Sequence, residues 1–392
     1  MERLWTKSYI FIIIGMFSLF IAFYMLYPTL PLFITQIGGN ESQVGLAMGT
    51  FMLSAVIFRP IVGGLLDRFG RLPFIIGGLI LFAFSMYIYN WVGGLVVLMG
   101  LRILHGMSWA ISTTSILTAI TDMIPSSRRG EGLGWSGMAT TLAMAIGPML
   151  GIWVTQNLSY HALFLMAVGF SVTALLLMIR IKIPFQPQSN SRKIELFEKS
   201  ILPVTLTVFF LFIAYGGITT FVPLFAESID VNSGTFFLIY AATLVLIRPT
   251  AGKLSDRYGE SFVIGPALIV TILALIVLGF STGLFGVLLS AVLYGIGFGS
   301  AQPALQAATI RLVLPDRTGV ANASFSTATD LGIGLGAMIL GWISQQTSYQ
   351  VLFTVSAVSV AFSLLVFTFS VKRLLKNKGL NSLNNSLPSK TG

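Results

Sequence analysis

Twelve apolar stretches, each long enough to cross a lipid bilayer, follow one another along this chain of 392 residues. About 20 apolar residues in a helix span the hydrocarbon core of a membrane. Only 9% of the residues are charged, against about 25% in an average globular protein, so the chain has too little polar surface for a soluble fold. We therefore predict an all-α membrane protein whose twelve transmembrane helices cover residues 8–35, 44–62, 73–91, 94–121, 132–154, 162–181, 203–226, 235–252, 262–281, 284–311, 320–344 and 350–371.

The distribution of positive charge sets the orientation of these helices. All of the 23 Lys and Arg except Arg102 fall in the N-terminal segment, at the even-numbered connections or in the C-terminal tail. The only acids and histidines in the odd-numbered connections are Glu41, His161, Glu227 and Asp230, and these connections contain no Lys or Arg. By the positive-inside rule, both termini are cytoplasmic, in a multi-pass protein of the cell membrane. The net charge of +10 is then an orientation signal and an attraction for the lipid bilayer. No nucleic-acid partner is expected.

The chain lacks the residues on which several other functions depend. It has no cysteine and two histidines, and it contains neither the HExxH motif of zinc proteases nor the phosphate-binding loop of nucleotide triphosphatases. We therefore predict no catalytic residue, no metal and no cofactor, and we do not expect an enzyme. The first apolar run continues past Tyr27 without a small-residue cleavage site, so it is interpreted as a retained helix and not as a signal peptide.

An internal repeat divides the chain into two halves. Residues 59–70 read RPIVGGLLDRFG and residues 248–259 read RPTAGKLSDRYG, which gives seven identities in twelve positions. The same offset of 189 residues aligns Gly147 with Gly336. We predict two pseudo-symmetric six-helix bundles, an arrangement common among transporters. The bundles cover residues 1–181 and 201–371, with a cytoplasmic linker at 182–200 and a basic cytoplasmic tail at 372–392.

The repeated segment resembles a signature of a known family. Residues 63–71 (GGLLDRFGR) are similar to the loop between helices 2 and 3 of the major facilitator superfamily, and residues 252–259 form a second copy. The resemblance extends over essentially the whole chain, and it implies that this loop latches the cytoplasmic side when the transporter is open to the outside. Arg68 and Arg71 are expected to pair with acids, with Asp122 as the chosen partner. The residues predicted to act in gating are Gly63, Asp67, Arg68, Gly70, Arg71, Asp122, Gly252, Asp256, Arg257 and Gly259.

The second copy of the signature departs from the first at its end. Glu260 stands where the first copy has Arg71, so the second latch is expected to be weaker or differently paired. The alternative interpretation of the loops is a solvated, positively charged connection without a gating role.

The fourth predicted helix carries a charge inside the membrane. Its segment Arg102 to Gly106 is similar to the R-x-x-x-G element of the same superfamily. A charge at the centre of a membrane helix costs about 2.5–3.5 kcal/mol on insertion scales, so Arg102 is expected to face a cavity or a partner. Arg102, His105 and Trp109 share one helix face, which we interpret as lining the substrate cavity. The alternative is that Arg102 extends to the outer headgroups.

The fifth predicted helix is rich in glycine. Its segment Gly147-Pro148-Met149-Leu150-Gly151 resembles the G-P-x-x-G element of proton-coupled antiporters in the drug-efflux branch of the superfamily. We predict a helix bend at Gly147, Pro148 and Gly151, and a close approach of helices 5 and 8 at the glycines. Ordinary packing of small residues is the alternative. The resemblance favours export over uptake.

Asp330 is the one acid clearly inside a predicted span. It lies about ten residues from the cytoplasmic end of that helix, about 15 Å deep and therefore near the midplane. Asn322, Ser326 and Asp330 give the helix one polar face. A carboxylate inside a membrane marks a functional site by default, so we predict that Asp330 carries the coupling proton. Burial favours its protonated form, unless a cation such as Arg102 offsets that effect. The alternative is a hydrogen bond that packs two helices. The first helix has no acid, unlike many drug–proton antiporters that resemble this chain.

The predicted substrate cavity includes five more residues, in helices that line the cavity in this superfamily: Tyr24, Tyr215, Tyr240, Gln302 and Gln306. Taken together, the sequence predicts a monomeric secondary active transporter that exports a small amphipathic molecule in exchange for protons by alternating access. Two alternatives stay open: an uptake or facilitated carrier for a sugar-like or organic-acid solute, in which Arg102 would hold an anion, and a lipid flippase.

Overall fold

The computed structural model describes residues 4–125, 128–183, 199–313 and 318–377. Within these ranges the chain forms twelve helices that are long and apolar enough to cross a membrane. They are α1 Lys7–Gln36, α2 Glu41–Phe69, α3 Leu72–Ile88, α4 Leu95–Met123, α5 Arg129–Asn157, α6 Tyr160–Met178, α7 Leu202–Ser228, α8 Ser233–Tyr258, α9 Glu260–Gly279, α10 Leu284–Leu312, α11 Thr318–Gln346 and α12 Tyr349–Val366, and α12 continues through a π-helical turn at Phe367–Val371 to Asn377. Each predicted span overlaps one of them, so the predicted fold class is confirmed.

The helix ends gather at two faces of the molecule. Helices α2, α4, α8 and α10 end at one face of the molecule, where Arg71, Arg257 and Arg311 lie, and we call this face the basic end. We call the opposite face the far end. We call α1–α6 the N-terminal half and α7–α12 the C-terminal half. Most of the predicted linker, residues 184–198, and of the predicted tail, residues 378–392, lies outside the described residues.

Local sequence explains where several helices begin and end. At the far end, Asn40 caps α2 in a reciprocal pair with Gln43, and Ser348 caps α12 through its hydroxyl group. At the basic end, α2 and α8 stop at Gly70 and Gly259, which have the same φ of 86°. This backbone conformation favours glycine, so the repeated signature produces the same tight turn in both halves.

The repeat seen in the sequence is also present in the helix packing. A Cβ atom on Gly147 of α5 would lie 2.5 Å from the Cβ atom of Tyr24 in α1. A Cβ atom on Gly336 of α11 would lie 2.7 Å from the backbone of Ile213 in α7. The glycines of α5 and α11 thus allow a close approach to the first helix of their own half. The expected close approach of α5 to α8 at these glycines is therefore wrong, because their face of α5 is covered by α1.

Helices α2 and α11 join the two halves at the far end. A Cβ atom on Gly45 would collide with the carbonyl oxygen of Ala337, and one on Gly341 would lie 2.6 Å from the carbonyl oxygen of Glu41. Gly63 lies on the same face of α2 as Gly45, because eighteen residues make five full helical turns. A Cβ atom on Gly63, however, would have no atom within 4 Å. Helix α2 is therefore tightly packed at the far end and has open space beside it at the basic end.

Helices α5 and α8 show the same pattern on the other side of the molecule. Gln156 and Asn232 exchange two hydrogen bonds of 3.1 Å at the far end, and a Cβ atom on Gly234 would lie 3.0 Å from Ile152. Gly252, five turns from Gly234 on the same face of α8, again has no atom near its Cβ position. The two halves thus meet at the far end and separate towards the basic end.

Candidate functional site

An ion pair joins the two halves where their contact ends. The Nε atom of Arg59 in α2 lies 2.7 Å from the Oδ2 atom of Asp330 in α11, and the two side chains are 17% and 9% exposed. The Nη1 atom of Arg59 also donates a hydrogen bond of 3.2 Å to the hydroxyl group of Thr113 in α4. We call Arg59, Thr113 and Asp330 the first arginine cluster. Gly63, one helical turn from Arg59 towards the basic end, has open space beside it.

The position of Arg59 differs from the predicted one. The hydropathy pattern places Arg59 among the charges that flank the second connection, but α2 continues for ten residues beyond it, to Phe69. At 1.5 Å per residue, Arg59 is about 15 Å from the end of its helix. Arg248 occupies the matching position in α8, which continues to Tyr258. Arg102 is therefore not the only cation well inside a span, and the cation paired with Asp330 is Arg59 and not Arg102.

Arg248 forms a second cluster across the halves. Its guanidinium group contacts the hydroxyl group of Thr141 in α5, and its Nη2 atom lies 2.6 Å from the Oε1 atom of Gln302 in α10. We call Arg248, Gln302 and Thr141 the second arginine cluster. It lies between α5 and α8, as the first cluster lies between α2 and α11. Gln302, predicted to line the cavity, belongs to it, whereas Gln306 is exposed one turn nearer the basic end.

The two clusters are the same site built twice by the repeat. The offset of 189 residues that aligns Arg59 with Arg248 also aligns Thr113 with Gln302, and Thr141 with Asp330. Each arginine therefore contacts the same two positions of the fold, one in its own half and one in the opposite half. The difference is chemical, because Asp330 supplies a carboxylate to the first arginine and Thr141 supplies a hydroxyl group to the second.

The structure places Arg102 inside the N-terminal half. Its Nε atom donates a hydrogen bond of 2.9 Å to the carbonyl oxygen of Ala47, and its Nη1 atom lies 3.3 Å from the Tyr89 hydroxyl group. The guanidinium carbon lies 4.4 Å from the ring centre of Phe51. With 2% of its surface exposed, Arg102 reaches neither the outer headgroups nor the space between the halves.

His105 and Trp109 share the surroundings of Arg102. The Nδ1 atom of His105 lies 3.0 Å from the Tyr89 hydroxyl oxygen, and the Trp109 ring stacks on Phe23 at 4.1 Å. In this conformation α1, α2 and α3 cover this face of α4. Contrary to the prediction, it therefore does not line a substrate cavity here.

The three tyrosines predicted to line the cavity lie nearer to the arginine clusters than Arg102 does. Tyr24 is half-buried and interacts electrostatically with both Arg248 and Asp330. Tyr240 and Tyr215 are almost fully buried, and Tyr215 stacks on Phe298 at 4.7 Å. Among the described residues, the Tyr240 hydroxyl group has no hydrogen-bond partner. A role of the three tyrosines in substrate contact stays a prediction.

The predicted pair between Arg71 and Asp122 is present at the basic end. The Nε atom of Arg71 lies 2.7 Å from the Oδ2 atom of Asp122. Glu260 and Arg311, their repeat equivalents, form a pair of 2.6 Å between Oε2 and Nη1. The charges have exchanged places, so the second copy is paired differently, as the sequence suggested. The first pair lies within the N-terminal half and the second within the C-terminal half, so neither joins the two halves.

Among the side chains that the structure describes, the other predicted gating residues show few contacts in this conformation. Arg68 and Arg257 are exposed, each with its guanidinium carbon 5.2 Å from the ring centre of the next aromatic residue. Asp256 is exposed, and the Asp67 side chain lies outside the described part of the chain. The gating role of these residues stays a prediction.

The exchanged charge pair allows a direct test of that role. Glu260→Arg places two positive side chains together, and we expect it to reduce the transport rate several-fold. The added change Arg311→Asp restores an ion pair with the polarity of the N-terminal half, so the double variant should recover most of the rate. Exposed pairs contribute only about 0–1 kcal/mol to stability, so unfolding should change little. Lys376→Glu on the exposed end of α12 is the control, and failure of the double variant to recover would contradict a gating role for the pair.

Comparison with known proteins agrees with this architecture. The family model described as Major Facilitator Superfamily matches residues 12–241 and 206–388. The chain is 27% identical to the staphylopine export protein of Staphylococcus aureus over 84% of this chain and 88% of that protein. It is 25% identical to the quinolone resistance protein NorA of the same species over 86% and 89%. A solved bacterial homologue of the human lysosomal transporter Spinster, in an inward-facing and occupied conformation, superposes with a TM-score of 0.78 at 14% identity, covering 96% of this chain and 99% of that one.

Proposed function

This chain belongs to the Major Facilitator Superfamily of membrane transporters, and from that premise we propose that it exports a small amphipathic molecule in exchange for protons. The observation that carries the proposal is the ion pair between Arg59 and Asp330. It joins the halves at the point where their contact gives way to open space. A protonatable group at that point can couple proton binding to the separation of the halves.

The charge state of Asp330 controls the far-end contact. The ion pair requires the ionised carboxylate, and it holds α2 against α11 while the basic end is open. Protonation of Asp330 removes the pair and leaves the partly buried Arg59 without a counter-ion. Removing one partner of a buried ion pair costs about 3–5 kcal/mol. The protonated protein therefore has a much weaker preference for the closed far end.

Export follows if the empty, deprotonated protein cannot open the far end. A substrate that enters from the basic end and whose binding weakens the pair lets the far end open. After the substrate leaves, a proton from outside binds Asp330, and the protonated carrier returns to the conformation described above. Return of the Arg59 guanidinium to Asp330 favours release of the proton to the cytoplasm. The ion pair thus limits opening of the far end to the substrate-bound or the protonated protein.

The direction of transport is supported by the relatives. Staphylopine export protein and the quinolone resistance protein NorA are both similar to this chain over more than 80% of its length. The first is an exporter by name, and a protein that confers resistance to a drug is understood most simply as one that removes it. We therefore assign outward movement of the substrate to this chain as well.

The orientation of the chain belongs to the same proposal, with the basic end in the cytoplasm. The chain has no native cysteine, so single introduced cysteines report location without background. Ser159→Cys, at the exposed start of α6, should react with a membrane-impermeant maleimide added to intact cells. Lys376→Cys, at the exposed end of α12, should react only after permeabilisation. The reverse pattern would contradict the orientation.

The proposed function is tested by transport in inverted membrane vesicles. A panel of amphipathic compounds, cationic, neutral and anionic, is offered from outside, which is the cytoplasmic face of the protein. At least one compound should accumulate when the vesicle interior is acidified, and a proton ionophore should abolish the accumulation. Accumulation that persists in the presence of the ionophore would contradict proton coupling, and accumulation only in right-side-out vesicles would contradict export.

A further inference from the structure

The second arginine cluster contains a cation without a carboxylate. Among the described residues, no Asp or Glu forms an ion pair with Arg248, which contacts a hydroxyl group and a side-chain amide. Neither partner carries a charge. Its Nε atom, which in Arg59 meets the carboxylate, has no hydrogen-bond partner within the described part of the chain. A positive charge inside a membrane protein is costly unless it is neutralised, so Arg248 calls for a functional explanation.

The repeat shows what is different at this position. In the first cluster the opposite half supplies Asp330 to the arginine, and in the second the equivalent residue is Thr141. The shorter, neutral side chain leaves the second guanidinium with its positive charge and one free donor. A planar guanidinium group binds carboxylates through two parallel N–H donors. Arg248 therefore has the chemistry to bind a carboxylate that the protein itself does not provide.

Arg248 also lies beside the space that opens at the basic end. Its side chain is partly exposed, as is that of Thr141. Gly252, one turn from Arg248 towards the basic end, and Gly137, one turn from Thr141, both have open space at their Cβ positions. The guanidinium group thus lies at the inner limit of the space between α5 and α8.

The surroundings of Arg248 suit the apolar part of an amphipathic molecule. Tyr24 and Tyr240 interact electrostatically with Arg248, and the Tyr240 ring continues into a row of aromatic side chains through Tyr294 and Phe298 at 5.6 Å and 5.5 Å. Tyr24, which is partly exposed, provides aromatic contact area for an apolar body, whereas Tyr240, Tyr294 and Phe298 are buried behind it in this conformation.

We infer that Arg248 binds the carboxylate of the transported molecule, so that the substrate class is an amphipathic organic anion. This inference rests on the proposed transport function and specifies its substrate. In the occupied protein, the substrate carboxylate neutralises Arg248 as Asp330 neutralises Arg59. The two clusters then have separate tasks, the first with the proton and the second with the substrate.

The inference is tested by equilibrium binding to the purified full-length protein in lipid nanodiscs. The probe is dansylglycine, a fluorescent aryl carboxylate, and its methyl ester is the matched neutral compound. Hydrogen bonds to a charged group correspond to a change of about tenfold or more in affinity, so the wild type should bind the acid at least about tenfold more tightly than the ester. In Arg248→Gln this preference should fall to within about twofold. Arg373→Gln, on the exposed end of α12, removes the same charge elsewhere and should retain the preference.

A second variant keeps Arg248 and neutralises its charge with a carboxylate of the protein itself. Thr141→Asp gives the second cluster the same carboxylate as the first, so it should also abolish the preference for the acid. Thr141→Asn has nearly the same shape without the charge and should keep the preference. The inference is overturned if the wild type binds acid and ester equally. It is also overturned if Thr141→Asp, folded as shown by size-exclusion chromatography, still prefers the acid as the wild type does.

Failure of this inference can be told apart from failure of the proposed function, because the binding measurement uses no proton gradient. A preference for the acid that depends on Arg248, together with vesicle transport insensitive to an ionophore, would retain the substrate class and remove proton coupling. Proton-driven export by a protein that binds acid and ester equally would retain proton coupling and remove the inferred substrate class.

Discussion

Asp330→Asn is expected to abolish accumulation of substrate driven by a proton gradient, while substrate affinity stays within a few-fold of the wild type. Asparagine has nearly the shape of aspartate but cannot exchange a proton, and it cannot form the ion pair with Arg59. Uphill movement should therefore fall to the level of vesicles without the protein, and downhill exchange of substrate should persist. The measurement is accumulation in inverted vesicles with an acidified interior, alongside exchange of labelled for unlabelled substrate without a gradient.

Asp230→Asn is the matched control for this variant. Asp230 is an exposed acid in the connection between α7 and α8, and asparagine tolerates its positive φ of 53°. It should accumulate substrate as the wild type does. If Asp330→Asn also pumps uphill at a near wild-type rate, then Asp330 is structural, and coupling must run through another acid, of which Asp122 is the next candidate.

Gly45→Leu is expected to prevent closure of the far end. A Cβ atom at this position would collide with the carbonyl oxygen of Ala337, and a backbone atom cannot move aside as a flexible side chain can. Overpacking of this kind costs about 3 kcal/mol, which shifts the ratio of closed to open protein by roughly 100-fold. Transport should be nearly abolished. A cysteine in place of Met52, which is buried between α2 and α11, should then react much faster with an impermeant thiol reagent added from outside.

The control for Gly45→Leu lies on the same helix face. Gly63→Leu introduces the same side chain where no atom lies within 4 Å, so it should leave the Met52→Cys reporter as protected as in the wild type. Equal protection of the reporter in the Gly45→Leu variant would show that the contact between α2 and α11 does not close the far end.

The sequence predicted the twelve helices and the two halves because both depend on local patterns. Apolar length identifies a membrane helix, and the repeated signature at residues 59–70 and 248–259 needs no knowledge of packing. The pair of Arg71 and Asp122 was also predicted, since the ends of neighbouring helices meet at one face of the membrane.

The arginine clusters were missed because the hydropathy profile ends the second span before its helix ends. The profile ends the second span at residue 62 and therefore places Arg59 at the membrane surface, although α2 continues to Phe69. Hydropathy measures apolar content and not helix length, so it ends a helix too early where charged residues lie near the end of an apolar stretch. The offset of 189 residues, applied to every polar residue, aligns Asp330 with Thr141 and is a signal that the sequence itself contains.

Arg102 was misplaced for a different reason. The spacing of Arg102, His105 and Trp109 shows that they share one face of the helix. The spacing does not show which neighbouring helices cover that face. In the folded protein, the Ala47 carbonyl oxygen and the Phe51 ring of α2 satisfy the guanidinium group. A membrane arginine can thus be satisfied within one bundle, and depth in the membrane alone does not identify a substrate site.

The central claim, that the ion pair of Arg59 and Asp330 keeps the far end closed, is tested most directly by a distance across that end. Spin labels on Asn157→Cys in α5 and Ser228→Cys in α7, both exposed at the far end, report the separation of the halves by double electron–electron resonance. In the otherwise wild-type protein at neutral pH, one short distance should dominate. With Asp330→Asn added, a longer distance should become a major population, because Arg59 is left without its counter-ion in the closed state. An unchanged distance distribution in the Asp330→Asn protein would contradict the account.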